Sequence, residues 1–268
     1  MRNRAGNSAA PRSKTSRNIG LARALSKLGI CSRSQAAELI RAGRVKLNGT
    51  LRRDPETPVH IEKDRIELDG SPLAKSERIY LALNKPRGVV TTASDEKGRE
   101  TVYAFLSAEF PWVAPVGRLD MASEGLLLLT NDSEWAARIS APETHLEKTY
   151  HVQIDAIADE NLLNALRTGI RSSEDGELLR AKGASLLRRG ERNSWIEIVL
   201  DEGKNRQIRR MLEQLQIEVL RLIRVAIRPL ALGDLAKGKT RVIEKDEKQA
   251  LDRAMRALNR EPASSVRS

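Results

Sequence analysis

The stretch EGLLLLT, residues 124–130, places four consecutive leucines, Leu126 to Leu129, between a glycine and a threonine. A run that short and that apolar offers no polar face to water, so it reads as a strand buried inside a sheet. Directly before it stands VGRLD, with Arg118 and Asp120 flanking Leu119. The chain must therefore build a core around this strand and carry a carboxylate to the edge of that core. Asp120 has two readings. It is either a turn or N-cap aspartate beside a strand, or a nucleophile or base held in a cleft, kept ionised against desolvation by a nearby cation.

The elements around this strand mix helices and strands without a regular βαβ alternation, which points to an α+β fold. Leu21, Leu25 and Leu28 recur at helical spacing and Gly29 ends that helix. Ser32 and Gln35 form a capping-box pattern that opens a second helix, with Ala36, Leu39 and Ile40 inward and Gly43 closing it. RVKLNGTL then predicts a hairpin on Asn48–Gly49, and DRIELDG another strand. A core this small is marginal alone and reads as an appended module.

A larger unit begins near Ile79. IYLALNKPRGVVTT predicts a strand, a break at Lys85–Pro86 and a second strand. SEWAARIS, DENLLNALRTG and NRQIRRMLEQLQ predict helices, the first capped by Asp132 or Ser133. KTYHVQIDA, SWIEIVLDEG and VLRLIRVAI predict strands, and Tyr150, Val152 and Ile154 share one face of the first of these. Leu251, Ala254, Met255 and Leu258 predict a helix over residues 244–259, either docked on the larger unit or formed only on a ligand. The expected organisation is a disordered basic arm over 1–17, a small module over 18–76, a main domain over 78–243, and a C-terminal helix and tail over 244–268.

Charge narrows the partners. The formal net charge is +11, and Arg2, Arg4, Arg12, Lys14 and Arg17 precede any acid. That is the footprint of a polyanion partner, most simply nucleic acid. No apolar run approaches the roughly 18 residues needed to span a bilayer, and the opening residues lack the apolar segment of a secretory signal. The single Cys31 excludes an internal disulfide and fits a reducing compartment; it is expected as a small core residue. A cytoplasmic protein without membrane contact is the expectation.

Chemistry is narrowed by elimination. His60, His145 and His151 lie in different elements, and no HxxxH or CxxC spacing occurs, so no metal site is expected. No GxxxxGK[ST], GxGxxG or GxSxG motif appears. Cofactor-free chemistry, or none, remains. An aspartate at a core edge needs a cationic partner, and the KNRQIRRML helix offers Arg206, Arg209 and Arg210. At about 100° per residue, Arg209 lies roughly 110° from the apolar centre near Leu215 and Ile208, with the other two nearer the far side. Arg209 is thus expected to pair with Asp120, and Arg206 and Arg210 to contact phosphate.

Two blocks then resemble known families. SKLGICSRSQAAELIRAGRVKLNGT resembles the alpha-L RNA-binding module shared by a small-subunit ribosomal protein and several RNA-modifying enzymes. The resemblance implies an RNA-backbone surface formed by Arg33, Arg41, Arg44 and Lys46. PVGRLDMASEGLLLLTND resembles the signature of the RNA pseudouridine synthases, in the branch that modifies ribosomal RNA and carries such a module. LNKPRGVVTT, EKTYHV, LDEGKNRQIRRML and VLRLIRVAIRPLAL match that branch's later blocks in order, over about residues 20–242.

This resemblance implies that Asp120 is the catalytic aspartate, that Tyr150 stacks on the target base, that Arg209 pairs with the aspartate, and that Leu222 is an apolar wall. Lys85, Arg87 and Arg118 are expected as phosphate or loop contacts. GKNRQIRRM is closer to the large-subunit RNA enzymes than to the small-subunit one. The implied activity is isomerisation of one uridine in ribosomal RNA, expected in 23S RNA, by base flipping and without a cofactor. The implied partners are ribosomal RNA and pre-ribosomal particles, with the protein a monomer. The competing readings are a small-subunit 16S enzyme, a non-catalytic ribosome-assembly factor, and a hydrolase using Asp120 with Glu124.

Overall fold

The computed structural model describes residues 18–258 apart from 75 and 94. The basic arm and the C-terminal tail of the sequence reading lie outside the described residues. The chain divides into two compact units between residues 75 and 76.

The first unit runs β1 (Ile19–Gly20), α1 (Leu21–Lys27), α2 (Arg33–Arg41), β2 (Val45–Leu47), β3 (Thr50–Arg52), β4 (Pro58–Val59), β5 (Ile66–Leu68) and β6 (Ser71–Pro72). Ser32 and Gln35 close the capping box on α2 in both directions. Asn48 and Gly49 both take positive φ, 52° and 78°, as the tight turn between β2 and β3 requires. The two helices pack on the sheet through Leu21, Leu25, Ala36, Ile40, Val45 and Ile66, and Cys31 is buried in that same cluster.

The second unit is built on one large sheet. Its elements are β7 (Tyr80–Lys85), β8 (Ala114–Val116), β9 (Glu124–Thr130), α3 (Ser133–Ser140), β10 (Lys148–Ile154), α4 (Glu160–Thr168), β11 (Ile170–Arg171), β12 (Leu178–Leu179), β13 (Gly183–Arg189), β14 (Ser194–Leu200), α5 (Gln207–Gln214), β15 (Val219–Ile227), β16 (Leu230–Ala231), β17 (Thr240–Val242) and α6 (Lys245–Leu258). The strand order is β13-β14-β10-β15-β9-β7-β17, with β16 on β15 and β8 on β9. Every pairing in this sheet is antiparallel except β15 with β9.

The leucine run occupies β9, and every residue of that strand is buried. Its period of two divides the leucines between two cores. Leu126 and Leu128 join Trp135, Ile139, Leu251 and Met255 on the α3 and α6 side. Leu127 and Leu129 join Leu81, Leu83, Val102 and Leu119 on the other. Each fully buried leucine contributes about 1.5–3 kcal/mol of transfer free energy. Helix α6 docks on this unit: Leu251 and Met255 are buried, and Trp135 Nε1 donates to Asp252 Oδ1 at 3.0 Å. Asp132, one of the two expected caps, accepts from the Trp135 amide.

One expectation changes, and one strand forms where no pattern predicted it. GVVTT is not a strand; beyond β7 the chain makes only an isolated bridge, Val90 to Thr101. The reason is a competing partner, since Thr91 Oγ1 donates to the Leu119 carbonyl at 2.7 Å and so clasps the loop before β9. Conversely GASLLRR, with no readable alternation, forms the edge strand β13, where exposure removes the pattern a buried strand shows.

The parallel joint between β9 and β15 pairs Glu124 with Ile223 and Gly125 with Arg224. At Gly125 φ is +99° and a Cβ would stand 2.3 Å from the Arg224 carbonyl oxygen, so only glycine lets the two halves of the sheet meet. Gly125→Ala is expected to destabilise the second unit by at least about 3 kcal/mol, read as a fall in the urea unfolding midpoint against wild type.

Candidate active site

Asp120 sits in the loop that delivers the chain into β9, and that loop is fastened from several sides. Lys85, the last residue of β7, is fully buried, and its ammonium donates to the carbonyls of Ser123 (2.9 Å), Pro86 (3.0 Å) and Asp120 (3.2 Å). The Gly88 amide donates to the Met121 carbonyl at 2.7 Å. The Ser123 amide closes a turn onto the Asp120 carbonyl at 2.9 Å. The backbone of Asp120 is thus fixed, while its side chain keeps 30% of its surface exposed.

Lys85 was expected at a phosphate or loop; the structure makes it a loop bracket, because no phosphate can reach a side chain with no exposed surface. Burial pulls its pKa down to about 8, with Asp120 and Glu124 acting against that fall.

Two clefts meet at Asp120. The inner one, about 70 Å³, is bordered by Tyr150 of β10, Leu222 of β15, Leu200 of β14 and Ile208 of α5. Tyr150 is 9% exposed and its ring belongs to the core below, so the cleft has one aromatic and several aliphatic walls. Among the described residues Asp120 is the one acid lining it. The outer cleft, about 630 Å³, carries Arg118, Thr91, Thr92, Asp95 and Arg99. Arg99 bonds Asp95 and holds its carboxyl down at about 2. Arg118 stands exposed there. Among the described residues no group of three or more His, Cys, Asp or Glu is placed to hold a metal ion.

The arginines are distributed differently from the helical projection. Helix α5 begins at Gln207, so Arg206 is its N-cap residue, with left-handed backbone angles of 48° and 27°. It lies outside the helical frame, and the projection does not apply to it. Its Nη1 is 3.9 Å from Asp120 Oδ2, the ion pair expected of Arg209. Arg209 lies close by, half-buried, donating to the carbonyls of Ala122 (3.1 Å) and Val219 (3.5 Å). Burial lowers its pKa, Arg206 adds to that, and Asp120 opposes it.

Arg210 turns away from Asp120. It is 10% exposed and meets Asp175 at 2.7 Å, Glu174 at 3.2 Å and Glu177 at 3.5 Å. The phosphate contact expected of it gives way to this acidic turn, which lets a charge be buried because it is paired. Glu124, the other acid near the loop, is bonded bidentately by Arg221 and reached by Lys237 at 2.7 Å. Burial raises its carboxyl, but these two cations outweigh burial and hold it below the ordinary value. It is a structural carboxylate, buried and paired with two cations.

Sequence reasoning missed Thr91, Arg221 and Lys237. Thr91 and Arg221 carried a signal, as parts of the quoted LNKPRGVVTT and VLRLIRVAIRPLAL blocks; Lys237 carried none. In the first unit Arg33, Arg41, Arg44 and Lys46 are all exposed, and Arg44 also donates twice to the Asp69 carboxylate. Arg33 opens α2 and Arg41 ends it, about 12 Å apart at 1.5 Å per residue, so Arg33 stands away from the other three.

Comparison with known proteins follows this geometry. Residues 79–214 match the model of the RNA pseudouridylate synthase family, and residues 19–66 match the S4 domain. The chain is 38% identical over 232 residues to ribosomal large subunit pseudouridine synthase B of Bacillus subtilis (strain 168), covering 86% of this chain and 94% of that one. It is 37% identical over 232 residues to an uncharacterized RNA pseudouridine synthase of Aquifex aeolicus (strain VF5), covering 86% and 92%. A crystal structure of a pseudouridylate synthase superposes with a TM-score of 0.62 at 30% identity, covering 87% of this chain and 99% of that one.

Lys85 generates a stability prediction. Lys85→Met leaves three buried carbonyls without their donor and should cost at least about 3 kcal/mol. The unfolded chain keeps this proton up to about pH 10.5, whereas the folded chain releases it near 8, so the group adds stability as pH rises through that window. In paired thermal melts the gap between wild type and Lys85→Met should widen from about pH 8 to about pH 10; a gap that narrows would mean that the three carbonyls hold the ammonium more strongly than burial disfavours it.

Proposed function

The chain belongs to the RNA pseudouridylate synthase family, and from that premise we propose that Asp120 is its catalytic residue, acting on one uridine of large-subunit ribosomal RNA. The observation that carries this reading is the inner cleft, where one half-exposed carboxylate on a rigid loop faces Tyr150 and Leu222. Isomerisation breaks the N1–C1′ bond, turns the uracil, joins C5 to C1′, and moves a proton from C5 to N1. No atom is gained or lost. A base within a stack cannot turn, so the nucleotide is extruded into the cleft.

There Tyr150 stacks on the ring, Leu222 closes its other side, and the departing water strengthens the field of the cations around Asp120. Arg209, held by two carbonyls, supplies a fixed positive charge close to the carboxylate. Arg118 at the outer cleft and Arg33, Arg41 and Lys46 of the first unit take phosphates of the surrounding RNA. The large-subunit assignment rests on the Bacillus subtilis relative's name. A cytoplasmic monomer acting on ribosomal RNA or its pre-ribosomal particles fits this reading. Among the described residues no helix is long and apolar enough to cross a membrane.

The decisive test maps pseudouridine in ribosomal RNA from cells with the gene deleted, intact or carrying Asp120→Asn. One site should vanish on deletion and stay absent with Asp120→Asn, while the variant's melting curve matches wild type. An unchanged map in all three would favour a binding factor. Arg41→Glu and Lys46→Glu should each weaken RNA affinity and reduce the slope of log K against log salt by about 0.7–0.9 per lost contact. The rate at saturating RNA should stay unaltered.

A further inference from the structure

The left-handed backbone at Arg206 is the strained position at the mouth of the cleft. A residue with a Cβ occupies that region at a cost, and such positions persist where the surroundings enforce them. Arg206 also occupies the helix position where a short polar side chain would ordinarily cap free amides, yet it makes no such cap. Its side chain instead extends to Asp120. At 3.9 Å this is a charge contact longer than a hydrogen bond, and 51% of the Arg206 side chain remains in solvent. An exposed ion pair of that length is weak and easily exchanged.

Position adds a second observation. Leu119, Asp120 and Arg206 are the residues that line both the inner and the outer cleft, so Arg206 forms part of the partition between them. The two arginines nearest Asp120 differ in how they are held. Arg209 is half-buried and bonded to two carbonyls, so it stays, whereas the Arg206 side chain has, among the described residues, the long contact to Asp120 as its one polar partner. Arg87, whose Nη1 donates to the Leu220 carbonyl at 3.2 Å, adds its charge beside Arg209, so three arginines cluster where Asp120 is the nearby carboxylate. That surplus of positive charge calls for a further anion when the site is filled.

We infer that Arg206 is a two-position residue: in the free protein it lies across Asp120, and on uridine entry it exchanges that carboxylate for the phosphodiester of the same nucleotide in the outer cleft. The inference rests on the isomerase reading above. It makes Arg206 a positioning residue that ties RNA docking to the uncovering of Asp120. A guanidinium matches a phosphodiester's two free oxygens better than it matches a single carboxylate oxygen at 3.9 Å. The exchange leaves Asp120 to Arg209, and the phosphodiester is the further anion that Arg206 takes up.

The test uses the full chain and unmodified large-subunit ribosomal RNA transcribed with uridine tritiated at C5, so that turnover is read as tritium release. Arg206→Gln should raise KM about tenfold and lower the salt slope of log KM by about one, with kcat within about threefold of wild type. Arg206→Lys should recover part of the loss in KM. Arg206→Gly relieves the left-handed backbone, so its unfolding midpoint should rise even as its KM matches Arg206→Gln. Arg209→Gln should instead lower kcat.

A fall in kcat at unchanged KM and salt slope for Arg206→Gln would overturn the exchange and make Arg206 the standing partner of Asp120. No change in either constant would overturn it in favour of a merely solvated side chain. Wild-type protein that releases no tritium would overturn the isomerase reading itself, an outcome distinct from both.

Discussion

A single buried ammonium ties the core of the second unit to its chemistry. Lys85 ends a strand whose neighbours are leucines, and its three hydrogen bonds all end on carbonyls of the segments flanking it, two of them in the 120–123 loop. A charge in such surroundings is tolerated only when its donors are filled. The loop must therefore stay where it is for the strand to stay buried. The dependence runs the other way as well, because the leucines of β9 pack on both faces of the sheet and fix the strand that the loop enters. Rigidity at Asp120 is in this sense a by-product of core packing, which is the arrangement a catalytic group needs.

The topology explains why residues so far apart in sequence share one cleft. Asp120 precedes β9, Tyr150 lies on β10 and Leu222 on β15, and these strands are adjacent in the sheet only because β15 runs parallel to β9. A parallel pairing needs a long crossover, and here the intervening chain supplies α3, β10, α4, β14 and α5. The close approach at Gly125 is where that crossover closes. Glu124 pairs with both Arg221 and Lys237 beside it, so its carboxylate is satisfied at the joint, and among the described residues Asp120 is the one acid that lines the inner cleft.

Much of this was legible in the sequence where local chemistry decides. The capping box at Ser32, the Asn48–Gly49 turn, the cap at Asp132 and the buried strand at Leu126–Leu129 each follow from a few adjacent residues, and each is found. The failures share a physical cause, which is tertiary partnership. Thr91 gives up a strand to hold Leu119. Lys85 reads as a cation for phosphate until its carbonyls are seen. Arg210 reads as solvent-facing on a helical projection until Glu174, Asp175 and Glu177 arrive from a distant turn. Arg206 escapes the projection altogether, because one left-handed residue takes it out of the helix. The resemblance singles out Asp120, Tyr150 and Leu222, which border one cleft, whereas what separates Arg206, Arg209 and Arg210 is partners that no local pattern reveals.

That division follows burial more than proximity. Arg209 is desolvated and bonded to backbone, so moving it would strand polar groups on both sides. Its charge is a permanent part of the field at Asp120. Arg206 is half in water, so displacing it costs little, and its charge is available to whatever anion enters. Arg210, paired with three acids, contributes almost nothing to the cleft. The same side chain, repeated three times within five positions, thus becomes a fixed field, an exchangeable contact and a structural tie. What separates the three roles is the set of partners each guanidinium meets, and those partners come from the sheet joint, the solvent and the acidic turn respectively.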